Sequence, residues 1–310
     1  MVEELKQRIM NANGRPIDIS VIKDSEFDVQ TNLSFAFDAN LSTSAKQRVV
    51  IITAFTGFYD YPIAQYAKNA IARDVDFQSK YRRADLALAK SVASSIESVL
   101  YTRRTQVLDD TTAISGISFD GTNDNLDISL AAQKNDPIFS DMVTLFNDNN
   151  IAGMEEDFNI VGDFGLRSVE AYRNQYGSNN SVDLQQNPML GFLDSSGSIT
   201  RTGGTRSAGY IMKNGAISLI DSVPLEFAQG ITIGGDVSVW DYGDMELPYS
   251  GMRPLLYKKK MEADGTPFGG SAMSYVEKYG IGLQFALVYR YNDDLATKVN
   301  DIARFEMLDS

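Results

Sequence analysis

The sequence predicts an α+β fold, and three stretches of it lead to that prediction. The run from Ile63 to Ser115 contains neither glycine nor proline, and most of it has helical periodicity. Residues 116–244 mix short helical segments with short strand segments. Residues 279–291 alternate with the period of two that is typical of a strand. The long helix, the mixed middle and the returning strand indicate helices and sheets in one chain.

The composition is that of a chain able to bury a core. Its 310 residues suffice for one large domain or two ordinary ones, with 43% hydrophobic and 22% charged residues. No apolar run approaches the roughly 18 residues of a membrane span, and the N-terminus lacks the apolar centre of a signal peptide. We therefore expect a protein that is made and kept in a cytoplasm and has no membrane partner.

The chain contains no cysteine and no histidine. This excludes disulfides, thiolate nucleophiles, Ser-His-Asp triads and zinc sites built on His or Cys. An enzyme would have to work with carboxylates, Lys, Tyr, Ser or a hard metal ion. We therefore expect no catalytic site, no cofactor and no metal.

The net charge of −13 is unevenly distributed. Residues 1–110 contain 14 Lys and Arg against 14 Asp and Glu, whereas residues 111–310 contain 14 against 27. The acidic part is either a solvated surface that aids solubility or a surface that repels polyanions. Both interpretations argue against a nucleic-acid reader, which needs a basic stripe.

The first part of the chain predicts a short helix at 3–12 and then a long hairpin. Its two strands are expected at 31–38 and 46–55, joined by an extended polar loop. TGFYDYP at 56–62 is expected to end the strand pattern, and Pro62 suits the first turn of a helix.

The long helix is predicted from the stripe that apolar residues form at steps of three and four. From Ser79 onwards this stripe consists of Tyr81, Ala84, Leu88, Val92, Ile96 and Val99. A single helix over 63–106 would be about 66 Å long, against a diameter near ~50 Å for a compact globule. We therefore expect either an elongated molecule or a break near Asp74–Phe77.

The middle of the chain predicts a helix after Pro137, a strand at 157–163, a helix from Phe164 to Tyr176 and exposed loops at 178–206. Asn214-Gly215 between two apolar runs predicts a tight hairpin. At the end, 279–291 is expected to be a strand, and Asp293-Asp294 is expected to open a last helix or strand.

Four polar stretches are candidate sites, and each has a simpler interpretation. DGTNDNLD at 120–127 has oxygen ligands for calcium but lacks the EF-hand spacing, so a polar turn is favoured. Glu155-Glu156-Asp157 is a carboxylate cluster or a solvated surface. Thr202-Gly203-Gly204-Thr205 and Gly234-Gly235 do not fit a phosphate-loop motif. Lys258-Lys259-Lys260 is expected in an exposed loop or at a contact with another subunit.

This order of elements resembles the major capsid protein of tailed bacteriophages, which has the Hong-Kong-97-type fold. In that family an N-terminal arm leads to an extended β-hairpin loop. A long spine helix and an elongated sheet form the peripheral domain, and a compact α/β axial domain is inserted between them. The resemblance covers nearly the whole chain and rests on element order, since the family has no diagnostic motif.

The resemblance implies a division of the chain. It comprises an N-terminal arm at 1–26, an extended loop at 27–58, a peripheral domain at 59–115 and 245–310 with the spine helix within 62–106, and an axial domain at 116–244.

The resemblance also implies a structural role. The chain would self-assemble through hexamer and pentamer rings into an icosahedral phage head that encloses DNA without reading it. It would be a virion component assembled in the host cytoplasm, and minor capsid, portal or decoration proteins are further possible partners. Our candidates for intersubunit ion pairs are Arg82, Arg83, Arg103 and Arg104, which we expect on the exposed side of the helix. Plain solvated charge is the alternative for each.

Three alternatives stay open. The first is another phage structural protein, such as a double jelly-roll coat protein or a tail-tube protein, although these have no use for the long helix. The second is a carboxylate-based hydrolase, such as a glycosidase, which predicts a compact monomer with paired acids in a cleft. The third is a cellular encapsulin-like shell, which shares the fold.

Overall fold

The structure of the protein is a computed structural model. It describes residues 7–8, 17–22, 44–62, 70–108, 114, 116–149, 151, 154, 157–166, 190–194, 197–221, 237–242, 247, 253–263, 274–289 and 299–309. The predicted strand at 31–38, residues 167–176 of the predicted helix and Gly234-Gly235 lie outside these ranges.

The described residues form helices and sheets, which confirms the predicted α+β class. In chain order the elements are β1 Asp18–Ile22, β2 Ser44–Arg48, β3 Val50–Pro62, α1 Ala70–Arg103, β4 Ile117–Asp120, β5 Asn125–Ile128, α2 Leu130–Asn135, α3 Ile138–Asp148, β6 Phe158–Asp163, β7 Leu190–Asp194, β8 Thr205–Lys213, β9 Ile217–Asp221, β10 Val237–Tyr242, β11 Leu255–Ala263, β12 Ser274–Tyr289 and β13 Ile302–Leu308.

The chain divides into two compact units. The first comprises Met1–Ile19, Arg48–Val92 and Leu219–Val288. The second comprises Ser20–Gln47, Ala93–Ser218 and Tyr289–Ser310. The division into arm, loop, peripheral and axial domains stays a prediction.

Helix α1 runs for 34 residues without interruption. It continues through 74–77, where the sequence allowed a break, and Lys80 there pairs with Asp76 one turn earlier at 3.0 Å. Ala84, Leu88 and Val92 from the predicted stripe are buried, so the stripe is confirmed at its centre. The helix forms because this stripe has an apolar layer to cover and no glycine or proline interrupts it.

The first unit contains an antiparallel sheet in the order β10-β11-β12-β3, and β9 also pairs with β12. Strand β3 pairs with β12 from Val50 to Pro62, with a register shift near Gly57. The expected end of the strand pattern at 56–62 is therefore wrong, and Pro62 ends a strand instead of starting a helix. The long partner strand β12 extends the pairing over residues that carry little strand signal of their own.

Aromatic rings join α1 to this sheet. The ring centroids of Tyr59 and Phe77 lie 5.2 Å apart, and that of Tyr279 lies 5.8 Å and 5.4 Å from them. The Lys80 ammonium lies 4.8 Å from the Tyr59 centroid. Edge-to-face contacts of this kind stabilise the helix against the sheet beyond their buried area.

The three consecutive lysines lie in strand β11. Lys258 pairs with Tyr279 and Lys260 with Glu277 across the antiparallel ladder. The expectation that 258–260 form an exposed loop is wrong, because strand pairing on both sides with β10 and β12 outweighs the local charge.

The second unit contains a six-stranded sheet in the order β4-β5-β13-β8-β6-β7. Strand β13 runs parallel to β5 and antiparallel to β8. The last predicted element is thus a strand. Strand β7 lies within 178–206, so the expectation of loops throughout that stretch is wrong.

The core of the second unit forms between this sheet and the short helices α2 and α3. The predicted apolar side of α3 is confirmed, since Ile138, Met142, Leu145 and Phe146 are all buried. Phe146 stacks on Phe158 with centroids 5.7 Å apart. A second cluster of this unit includes Leu100 of α1, Tyr210, Met212 and Ile302.

The turn predicted at Asn214-Gly215 is confirmed, but the predicted pairing of its flanking strands is wrong. The turn exists, with Gly215 at φ 83° and the amide of Ala216 donating to the carbonyl of Lys213 at 2.9 Å. The strands on either side do not pair, because β6 and β13 occupy both edges of β8 and β9 pairs with β12 instead.

Candidate functional site

Arg82 and Arg83 lie on the exposed side of α1, as predicted. Neither forms an ion pair with another residue in the part of the chain that the structure describes. Both guanidinium groups are therefore open to a partner. Their role between subunits stays a prediction.

Arg103 is the last residue of α1 and is partly buried. Its guanidinium donates to the Tyr289 hydroxyl at 2.8 Å and lies 4.3 Å from the centroid of the same ring. Its carbonyl accepts a hydrogen bond from the Asn300 side chain. Both the guanidinium and the carbonyl of Arg103 therefore bind groups of their own chain.

Arg104 is 8% exposed, so its expected position on the exposed side is wrong. The helix ends one residue earlier, and the chain then turns Arg104 into the second unit, away from the helical periodicity. Its Nη2 donates to Asp124 Oδ2 at 3.0 Å and to the Asn123 carbonyl at 3.2 Å. Its guanidinium also lies 3.8 Å from the Tyr101 centroid. Arg104 therefore fixes the end of α1 inside its own unit.

Asp124 reaches Arg104 from the turn between β4 and β5. This is the stretch that the sequence favours as a polar turn rather than a calcium loop, and the turn is confirmed. Asp124 has φ 53°, a left-handed conformation that Asp tolerates better than most residues. Asp120 accepts from the Thr122 amide at 2.9 Å and from the Asn123 side chain at 2.6 Å. These bonds lower the pKa of Asp120 below its ordinary value, the Thr122 amide most.

A buried cluster of charged and hydroxyl groups crosses the sheet of the second unit. Arg304 donates to Glu306 at 2.6 Å and to the Thr200 carbonyl at 2.7 Å. The Thr202 hydroxyl donates to the same Glu306 oxygen at 2.7 Å. Thr202 of the TGGT stretch is thus tied to the sheet.

Asp163 forms the neighbouring part of the cluster. It is 4% exposed and accepts from the Ser207 hydroxyl at 2.7 Å, and Arg201 donates to its other oxygen. This cluster was not predicted from the sequence. A signal was present in IARFEML, where Arg304 and Glu306 lie at every second residue of an apolar strand.

Asp127 lies directly beside Glu306 across the parallel pairing of β5 and β13. Burial raises the pKa of Asp127, and the carboxylates of Asp120 and Glu306 raise it further.

On the far side of β13, the Tyr210 hydroxyl donates to Glu97 at 2.9 Å. Burial, and then Glu97, raise the pKa of Tyr210, so it stays a neutral donor.

The acidic stretch 155–157 is described at Asp157 alone. Its side chain is exposed and accepts from the Met154 amide at 2.9 Å, so it shapes the turn before β6. Glu155 and Glu156 lie outside the described residues. Among the residues that are described, no group of three or more acidic side chains could hold a metal ion. No helix there is both long enough and apolar enough to cross a membrane.

No family model and no curated protein matches the chain. Similar solved structures include one from Mycobacterium phage Adephagia, with 10% identity over 96% of this chain and 86% of that chain and a TM-score of 0.49. Another is from Gordonia phage Cozz, with 13% identity, coverage of 98% and 86% and a TM-score of 0.46. A third is titled "Capsid of native GTA particle computed with C5 symmetry", with 8% identity, coverage of 94% and 85% and a TM-score of 0.40.

Proposed function

We propose that the chain is the major capsid protein of a tailed bacteriophage with the Hong-Kong-97-type fold. The observation that carries the proposal is helix α1, which runs unbroken from Ala70 to Arg103. It follows the strands at 44–62 and precedes the six-stranded sheet of the second unit. The chain then returns through β11 and the 16-residue strand β12. This order supports the proposal because it resembles that of the capsid family, in which a spine helix lies between an extended loop and an α/β domain.

In this proposal the N-terminal arm is 1–26, the extended loop is 27–58 and the spine helix is α1. The peripheral domain comprises 59–115 and 245–310, and the axial domain comprises 116–244, except that β13 completes the axial sheet and β10 pairs with β11 in the peripheral one. The chain assembles with itself through rings of six and five into an icosahedral shell. The shell encloses DNA without reading it, which suits an acidic subunit.

Arg82 and Arg83 are the proposed intersubunit ion-pair residues. Arg103 and Arg104 are less suited to that role, because Tyr289 and Asp124 already occupy their guanidinium groups. In this proposal the protein is a virion component that is assembled in the host cytoplasm. Portal, minor capsid or decoration proteins are its further partners.

The test is the particle mass of the purified protein, measured by light scattering and negative-stain microscopy across protein and salt concentrations. Shells, tubes or rings of five or six subunits are the expected result. A monomer of 34.2 kDa under all conditions would overturn the proposal.

A further inference from the structure

Helix α1 carries large apolar side chains on the face that its own unit leaves uncovered. Ile71 is 79% exposed, Val75 64% and Leu86 41%. In the order Ile71, Val75, Arg82 and Leu86, successive residues are four, seven and four positions apart. This spacing places all four side chains within an arc of about 60° around the helix axis. We call Ile71, Val75, Arg82 and Leu86 the outer strip.

The outer strip is distinct from the stripe that builds the core. Ala84, Leu88 and Val92 are between 2% and 6% exposed and lie on another side of the helix. Single exposed apolar residues are ordinary, but three aligned on one helix face form a surface that gains free energy when a partner covers it.

The charged residues of α1 between Ile71 and Lys90 fall into two groups. In the first group, each charge is paired with an opposite charge or is buried. Arg73 pairs with Asp74 at 3.0 Å, Lys80 pairs with Asp76 at 3.0 Å, and Asp85 is fully buried. These groups leave little net charge on the surface.

Arg82, Arg83 and Lys90 are exposed on the helix and make no ion pair within the described chain. Arg82 lies in the outer strip, and Arg83 and Lys90 lie along one edge of it, at about 120° and 100° from Ile71 around the helix axis. The surface is therefore apolar with a basic edge, and its partner should be apolar with acidic groups.

The chain itself contains a long segment with the complementary net charge. Residues 111–310 contain 27 acidic against 14 basic residues, whereas residues 1–110, which include the proposed arm and loop, are balanced at 14 each. We propose that the acidic part of a second copy, within 111–310, covers the outer strip and pairs with Arg82 and Arg83. This inference rests on the proposed function, because it names the partner of the proposed spine helix within the assembly.

The direct test uses the absence of cysteine, which makes a single introduced thiol unique. Leu86→Cys is labelled with a benzophenone maleimide, and unlabelled and ¹⁵N-labelled subunits are mixed before assembly and irradiation. We expect mixed-isotope cross-links from residue 86 to peptides within 111–310. Leu219→Cys is the matched control, since Leu219 is 44% exposed in the same unit, and it should give a different set of peptides.

A second test reverses the charge. Arg82→Glu/Arg83→Glu should raise the concentration needed for half-assembly at least about tenfold at low salt, because like charges then face each other. Added salt should reduce this difference. Arg82→Lys/Arg83→Lys keeps both charges and should shift the half-assembly concentration much less than the Glu variant. Lys134→Glu, an exposed change on α2, should assemble like the unmodified chain.

The outcomes separate the two proposals. Cross-links to 1–62, cross-links within one chain alone, no cross-links, or identical peptides from Leu219→Cys would overturn the inference. Normal particles with any of these results would leave the capsid proposal standing. Mixed-isotope cross-links to 111–310 without particles would support the contact and overturn the capsid proposal.

Discussion

Arg304 and Glu306 illustrate what single residues contribute to this molecule. They lie two positions apart on β13, so both side chains point to the same face, and they are 5% and 2% exposed. Removing two charges from water costs about as much as their attraction returns, so the pair adds little net stability. A slip of one residue would move both charges to the opposite face of the sheet. We therefore expect the pair to act mainly by fixing the register of β13.

Asp127, beside Glu306, should weaken the fold at neutral pH. Because its folded-state pKa is raised above the ordinary 3.8, its charged form is less favourable in the folded state. We expect Asp127→Asn to raise the melting temperature at pH 7. The gain should shrink as the pH falls through the folded-state pKa and vanish below about 3.8, which thermal unfolding between pH 3 and 8 measures.

Asp120→Asn is the paired control, for which we expect the opposite change in melting temperature. Its pKa is lowered in the folded state, so its charge stabilises the fold above pH 3.8 and this contribution is lost as the pH falls through the folded-state value. The variant should melt lower than the unmodified chain at pH 7. Shifts of the same sign in both variants would contradict the opposite environments assigned to the two carboxylates.

Arg104 and Arg82 should differ strongly in their effect on stability. Arg104→Ala removes the partner of Asp124 and several buried hydrogen bonds, so we expect a loss of about 2 kcal/mol or more in the free energy of unfolding. Arg82→Ala removes an exposed side chain and should change it by less than about 0.5 kcal/mol. Urea unfolding measures both, and equal losses would refute the buried role of Arg104.

The exposure of one of these two arginines could be predicted from the sequence, and that of the other could not. The helical period correctly placed Arg82 on the outside, because it lies off the apolar stripe whose centre, Ala84, Leu88 and Val92, is buried. The same period failed at Arg104, because nothing in YTRR indicates that the helix ends at Arg103. The partner Asp124 is distant in sequence and belongs to a turn whose contact with Arg104 has no sequence signal.

At the scale of elements, α1 depends on an uninterrupted hydrogen-bond ladder. We expect Val92→Pro to cost about 3 kcal/mol or more, since it removes one ladder bond and clashes with the preceding turn at a buried position. Particle assembly should be lost as well. Circular dichroism and light scattering measure the two effects.

Val92→Ala is the control for that substitution. It removes two methyl groups but keeps a good helix former, so helix content should be retained. Intact shells from Val92→Pro would contradict the role of an unbroken α1 in assembly.

Sheet partners explain where element prediction succeeded and where it failed. Helix α3 was predictable, because the apolar residues that bury it all lie within its own eleven positions. Asn214-Gly215 correctly indicated a turn, but β8 and β9 find their partners in β13, β6 and β12. Those partners are up to about 100 residues away along the chain, and a local turn signal carries no information about them.

At the scale of the whole molecule, the two units have separate sheets and cores, so the proposed arm is expected to serve assembly more than folding. Deleting 1–26 removes β1 together with Ile17 and Ile19, which pack against a small cluster of the first unit, but it removes no residue of the six-stranded sheet. We expect a subunit that unfolds cooperatively and assembles poorly. Thermal unfolding and light scattering measure this, and unchanged assembly would show that the arm is dispensable.

The position of β13 has a consequence for the order in which the protein can fold during synthesis. β13 lies between β5 and β8, yet the ribosome makes it after every other strand of that sheet. Until it emerges, β5 and β8 each expose an unpaired edge, and the side chains of Ala303, Phe305 and Met307 are missing from the core. The nascent second unit therefore stays incomplete until residues 302–308 have been made. In the proposed capsid role, this delay would keep a subunit from assembling before its second unit is folded.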